Sequence, residues 1–195
     1  MSLDAILADI AACRACAGEL PHEPRPVTRV SGQTRLLICG QAPGRRVHES
    51  GIPFDDPSGE RLRSWMGIDR ATFYGRPEIG VAAMAFCFPG TNPKGGDFPP
   101  PARCAALWRP PLLLALPKVE LTLLVGSHAQ AWALGTRMKA NMTDTVAAWR
   151  DYLGDGVLPL PHPSWRNTAW LKRNPWFDAE VTPYLRRRVA GILAS

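Results

Sequence analysis

Three short apolar runs constrain the fold of this chain most. Residues 35–40 (RLLICG), 79–87 (IGVAAMAFC) and 119–126 (VELTLLVG) are rich in apolar and branched side chains and end in glycine or at a turn. Runs of that kind read as strands buried on both faces, as in a parallel sheet. A shorter run, 157–161 (VLPLP), supplies a fourth. Helical patterns lie between them at 4–13, 58–66, 101–116, 127–134, 143–153 and 179–193. The second starts at a plausible cap, Ser58; the third is expected to break near Pro110 and Pro111; the fourth is closed by Gly135. Strands alternating with helices imply an α/β protein, a three-layer α/β/α sandwich around a mainly parallel four-stranded sheet. With 195 residues and no linker long enough to divide it, the chain reads as one domain spanning 1–195.

In such a sheet, ligands bind beyond the carboxyl ends of the strands. Chemistry is therefore sought in the loops 40–59, 88–101 and 162–174, and at the turn on Ser127. The net charge of +6 and the pI near 9.4 suit an anionic partner, of which nucleic acid is the commonest. No apolar run can span a bilayer; the longest is broken by Pro117, Lys118 and Glu120. The opening MSLDAILADIAAC has no basic segment and two aspartates, so a cytoplasmic protein is expected, one whose cysteines are ligands or free thiols.

Five cysteines occur. Cys13 and Cys16 form a C-x2-C pair, whose thiolates can reach one metal. Cys87 and Cys104 bracket a proline- and glycine-rich loop, and the two pairs together can close a four-thiolate site. Unrelated thiols or a redox pair are the plainer readings, although the pair ends a helix rather than following a strand. Spacing leaves zinc and iron–sulfur open. Cys39, inside the first strand, reads as a small buried apolar residue.

The loop after the first strand begins Gly40-Gln41-Ala42-Pro43-Gly44, small residues that let backbone N–H groups approach a ligand. It continues through His48, Glu49, Phe54 and Asp55. Phe54 is either a core plug or a stacking platform for a base. After the fourth run comes Pro161-His162-Pro163-Ser164-Trp165-Arg166-Asn167. A histidine held between prolines is placed to donate a hydrogen bond in a fixed direction, or is simply structural. Trp165, Arg166, Trp170, Lys172, Arg173 and Trp176 interleave aromatic and basic groups. That suits a surface against unstacked nucleic acid, or tryptophans that anchor an irregular loop.

Taken together, these residues resemble the uracil-DNA glycosylase superfamily, and most closely its iron–sulfur branch, family 4. The layout of Cys13, Cys16, Cys87 and Cys104, the loop at 40–44, Gly51-Ile52-Pro53-Phe54, the segment LLVGSHAQAWALG and His162-Pro163-Ser164 carry the resemblance. It implies hydrolysis of the N-glycosidic bond of uracil, or of a related deaminated base, flipped out of single- or double-stranded DNA. Phe54 would stack on the base. Backbone N–H groups of the 41–44 loop, Ala42 among them, would meet its edge, with Asp55 beside Phe54 in the base pocket. His162 would donate to O2 of the departing anion. Pro163, Ser164, Trp165 and Arg166 would press into the DNA. The four cysteines would hold a structural 4Fe-4S cluster, with zinc the alternative, in a monomeric enzyme.

Two positions depart from that pattern. The family's first-motif glutamate is Gln41 here, an amide that can orient a water but cannot act as a base. Its role would pass to Glu49 first, or to His48 or Asp55. The asparagine that reads the uracil edge is missing from 81–86. A catalytically weak member that binds abasic or single-stranded DNA is the alternative function. A metal-stabilised α/β protein with a small-molecule or nucleotide substrate is a third. It lacks a P-loop or dinucleotide fingerprint.

Overall fold

The computed structural model describes residues 1–194. Four strands, β1 (Leu36–Cys39), β2 (Ile79–Val81), β3 (Leu121–Val125) and β4 (Val157–Leu160), form one parallel sheet in the order β2-β1-β3-β4. Each sits at one of the four apolar runs. Around the sheet lie α1 (Leu3–Ala12), α2 (Arg45–Ser50), α3 (Pro57–Met66), α4 (Arg70–Gly75), α5 (Ala102–Leu114), α6 (Ser127–Leu134), α7 (Met142–Ala147), α8 (Thr168–Arg173) and α9 (Thr182–Ala194).

Alternation along β1 builds the three layers. Leu36 and Ile38 pack with Leu62, Trp65 and Met66 of α3 and Leu185, Val189 and Ile192 of α9. Leu37 points to the opposite face, onto Ile6 and Ile10 of α1 and Leu112 of α5. Cys39 meets Ala129 and Leu134 of α6 on that same side. Successive strand side chains must face opposite ways, and burying both sets, each large side chain contributing about 1.5–3 kcal/mol, requires a helical layer on either side. Among the described residues no helix is long and apolar enough to cross a membrane.

Several boundaries differ from the sequence pattern. β2 stops at Val81, and the remainder of its apolar run leaves the sheet. There Met84 N–H donates to Gly40 O and Ala85 N–H to Gln41 O, while buried Arg109 donates to the Ala82 and Ala83 carbonyls. The run thus stays buried beside the loop after β1 instead of extending a strand. Helix α5 continues through Pro110 and Pro111. The carbonyls those prolines leave without donors, on Ala106 and Leu107, belong to exposed residues that water can serve. Helix α3 is capped by Asp56, whose Oδ1 accepts from Gly59 N–H at 2.8 Å, with Pro57 in the first turn, and not by Ser58. The pattern at 143–153 divides into α7 and a 3-10 stretch, Trp149–Asp155. The last helix is preceded by a π turn, Phe177–Val181.

Candidate active site

A cavity of about 400 Å³ opens at the carboxyl edge of the sheet. Its walls come from the loop after β1 (Gly40, Gln41, Ala42, Pro43, Gly44), from Val47 of α2, from Phe54, Asp56 and Ser58, from Val81 and Ala83 at the end of β2, from Gly96 and Asp97, and from His162, Ser164, Arg166 and Asn167 after β4. The strand ends bring together segments far apart in the chain, as the sheet topology demands.

Phe54 lines the cavity in a strained conformation. It is the one non-glycine residue with positive φ among those described, at 56°. That left-handed geometry is costly for a bulky side chain and persists only where its surroundings enforce it. Arg63 donates to the Phe54 carbonyl at 3.2 Å, and Gly59 lies against it so closely that a Cβ there would sit 1.9 Å from the Phe54 oxygen. The ring packs edge-on against Phe73, with centroids 6.4 Å apart, and its far edge comes against Gly40. The residue is thus anchored to the core while forming part of the cavity wall.

His162 faces Phe54's cavity from the β4 side. Ser164 N–H donates to its Nδ1 at 3.2 Å, and Asn167 Nδ2 donates to its carbonyl at 2.7 Å. Burial holds the imidazole below its ordinary pKa, against the opposing pull of Asp56 and with the help of Arg166. A neutral ring whose Nδ1 accepts must carry its proton on Nε2, leaving one N–H donor in a fixed place. The following loop is pinned by Arg61, which donates to Ser164 O at 2.9 Å. Trp165 stands 73% exposed, with the Arg166 guanidinium 5.6 Å from its ring centre.

On the opposite layer, Cys13, Cys16, Cys87 and Cys104 line one small apolar pocket with Ile10, Phe86 and Trp108. Burial and the neighbouring thiols push Cys87 and Cys104 each up to about 11. Cys16 is raised by burial and then by Glu19. Among the described residues no three His, Cys, Asp or Glu side chains are grouped as ligands for a metal ion. Cys39 is fully buried elsewhere, its thiol 3.6 Å from Met84 Sδ.

A family model described as the uracil DNA glycosylase superfamily matches residues 28–186. The chain belongs to that superfamily. Membership implies a base-excision glycosylase whose substrate is DNA. The match takes in the whole sheet and every residue of the cavity except Val27; Cys13 and Cys16 precede it.

Within this superfamily cavity the structure gathers Gln41, Ala42, Phe54, His162, Ser164 and Arg166. It does not gather His48, Glu49 and Asp55, which are absent from the lining. Helix α2 turns Val47 inward and leaves Glu49 exposed, so the carboxylate expected to replace the glutamate role points to solvent. Asp55 is engaged by Arg70 at 2.8 Å, which holds its carboxyl below the usual range. His48 lies against His22, ring centres 4.1 Å apart and tilted by 39°, beside Phe88. Partial burial, and then the charges of His22 and Arg25, lower its pKa. Pro163 is buried and so does not form part of the exposed surface. Sequence reasoning missed Asp56 and Asp97, the two carboxylates that do line the cavity. One signal was present for Asp97: it is the only acidic residue in the 88–101 loop at the sheet's active edge.

Proposed function

We propose that this protein removes uracil, or a related deaminated base, from DNA by flipping the nucleotide into the cavity and hydrolysing its N-glycosidic bond. The observation that carries the reading is the pairing of strained Phe54 with neutral His162 across one cavity. A flipped base stacks on the ring, and the 41–44 backbone meets its edge. As the C1′–N1 bond breaks, the electron pair leaves with the base, and His162 Nε2–H donates to its O2. One such donor contributes on the order of 100-fold in rate. Exposed Trp165 and Arg166 fill the space the base vacates and hold the phosphate backbone.

We further propose that Cys13, Cys16, Cys87 and Cys104 hold an iron–sulfur cluster, as in family 4. Four thiols around a common apolar pocket supply the all-cysteine shell that such a cluster takes. Bound there, it would supply a structural tie between the end of α1, the segment after β2 and α5.

A single-stranded oligonucleotide with one uracil, incubated with the protein and then treated with alkali, is expected to break at that position. An intact strand, with uracil and with other deaminated bases, refutes the glycosylase reading. Anaerobically purified protein is expected to be brown and to contain iron and acid-labile sulfide. Colourless protein with stoichiometric zinc would replace the cluster by zinc and leave the four ligands in place.

A further inference from the structure

The cavity contains two carboxylates, and they are not equivalent. Asp56 is committed to the fold: its Oδ1 accepts from Gly59 N–H as the cap of α3. The Asp97 side chain makes no hydrogen bond and no ion pair within 4 Å among the described residues. A Cβ added at Gly44 would lie 3.6 Å from its Oδ2, which places the carboxylate over the loop that faces the flipped base. Gln41, on that same loop, is an amide and takes no proton. Its Nε2 instead donates to Phe98 O at 3.1 Å and so fastens the residue next to Asp97. The segment is closed on itself as well. Asn92 N–H donates to Gly96 O at 2.7 Å and Phe98 N–H to Gly90 O at 2.9 Å, with a bridge between Thr91 and Asp97. Gly96 leaves room for Arg166, whose guanidinium a Cβ there would meet at 2.9 Å.

We propose that Asp97 is the catalytic carboxylate of this cavity, holding the attacking water and facing C1′ as positive charge develops there. The proposal rests on the glycosidic-hydrolysis reading above. In the step, the C1′–N1 bond breaks and its electron pair leaves on the base. The water oxygen bonds to C1′, and the proton that the water loses goes to Asp97. Solvent then carries that proton to the base anion, so the products are an abasic sugar and the free neutral base. Such hydrolysis needs an anion near the sugar cation more than a strong base, and a rim carboxylate becomes enclosed when DNA covers the cavity. The groups facing Asp97 are Arg166 from the 162–167 loop, Arg45 from α2, Asp56 from the cap of α3 and the neutral His162. Desolvation raises its carboxyl above the ordinary range, Asp56 adds to this, and the two arginines oppose it.

The test is single-turnover excision from a uracil-containing single-stranded oligonucleotide by wild type, Asp97→Asn and Asp97→Ala. Asp97→Asn is expected to slow excision on the order of 100-fold while oligonucleotide affinity stays equal or tightens. Its pH–rate profile is expected to lose the acidic limb of the wild type. Added formate, but not chloride at equal ionic strength, is expected to restore part of the Asp97→Ala rate. Wild-type excision with an Asp97→Asn rate within about threefold of it overturns the assignment and leaves the glycosylase reading standing. So does a slow Asp97→Asn that keeps the acidic limb, with no rescue of Asp97→Ala by formate: that pattern marks a carboxylate that only balances Arg166. A wild type inactive on every deaminated base overturns both.

Discussion

Gly59→Ala is expected to damage the protein at Phe54, five residues away. The new Cβ would stand 1.9 Å from the Phe54 oxygen, 2.7 Å from its carbonyl carbon and 2.8 Å from its Cβ. Those are backbone-anchored atoms that no rotamer change can move, so the 53–56 turn must shift by about 1.5 Å to reach ordinary contact. Two interactions move with it. The Asp56 cap on Gly59 N–H is worth about 1 kcal/mol, and the charged donation from Arg63 to Phe54 O about 1.5–3 kcal/mol. Losing most of both costs roughly 3 kcal/mol, which in a chain of this size lowers the melting temperature by roughly 6–12 °C. The same displacement, carried to the ring proposed to stack on the base, is expected to slow single-turnover excision on the order of 100-fold or more. Gly75→Ala is the control: it lies in α4 with nothing within 4 Å of the added atom, and no loss is expected. The assays are thermal unfolding and excision from a uracil oligonucleotide. A Gly59→Ala protein that melts within about 2 °C of wild type and excises normally would refute the reasoning.

His162→Ala is expected to lower single-turnover excision on the order of 100-fold with DNA affinity little changed; an unchanged rate removes the oxyanion role. Trp165→Ala is expected to leave unfolding within about 0.5 kcal/mol of wild type, because the ring is exposed. It should weaken single-strand binding by about tenfold or more, measured by fluorescence anisotropy, and unaltered affinity would exclude stacking. Stability is expected to fall as the pH drops through 6.5. His48 and His162 both have lowered pKa values in the fold, so the unfolded chain binds their protons first, below its value of 6.5, and stability present above that pH is lost on acidification. Urea midpoints at pH 7.5 and 5.5 test this, and a His48→Asn/His162→Asn protein with the full wild-type drop would refute it.

The sequence by itself determined the sheet. Residues such as Leu36, Leu37, Ile38 and Cys39 are apolar on both strand faces, and only a parallel strand covered twice accommodates that. Once strands and helices alternate, the loops at the carboxyl edge follow, and Phe54 and His162 lie in them. The six-residue helices α2, α4 and α8 escaped notice because fewer than two turns carry too little periodicity to detect. Which carboxylates line the cavity was decided only by tertiary structure. Glu49 is kept out of the cavity by the way α2 rolls, with Val47 in, and Asp97 is held at its rim beside the bond from Gln41 to Phe98, which joins positions 57 residues apart. The proton on His162 Nε2 is likewise set by Ser164 N–H and by burial, and the four cysteines meet at one pocket only because α1 and α5 pack on the same face of the sheet. Local pattern fixes the period of an element, whereas the direction of one side chain on it is set by long-range packing, which no short stretch of sequence contains.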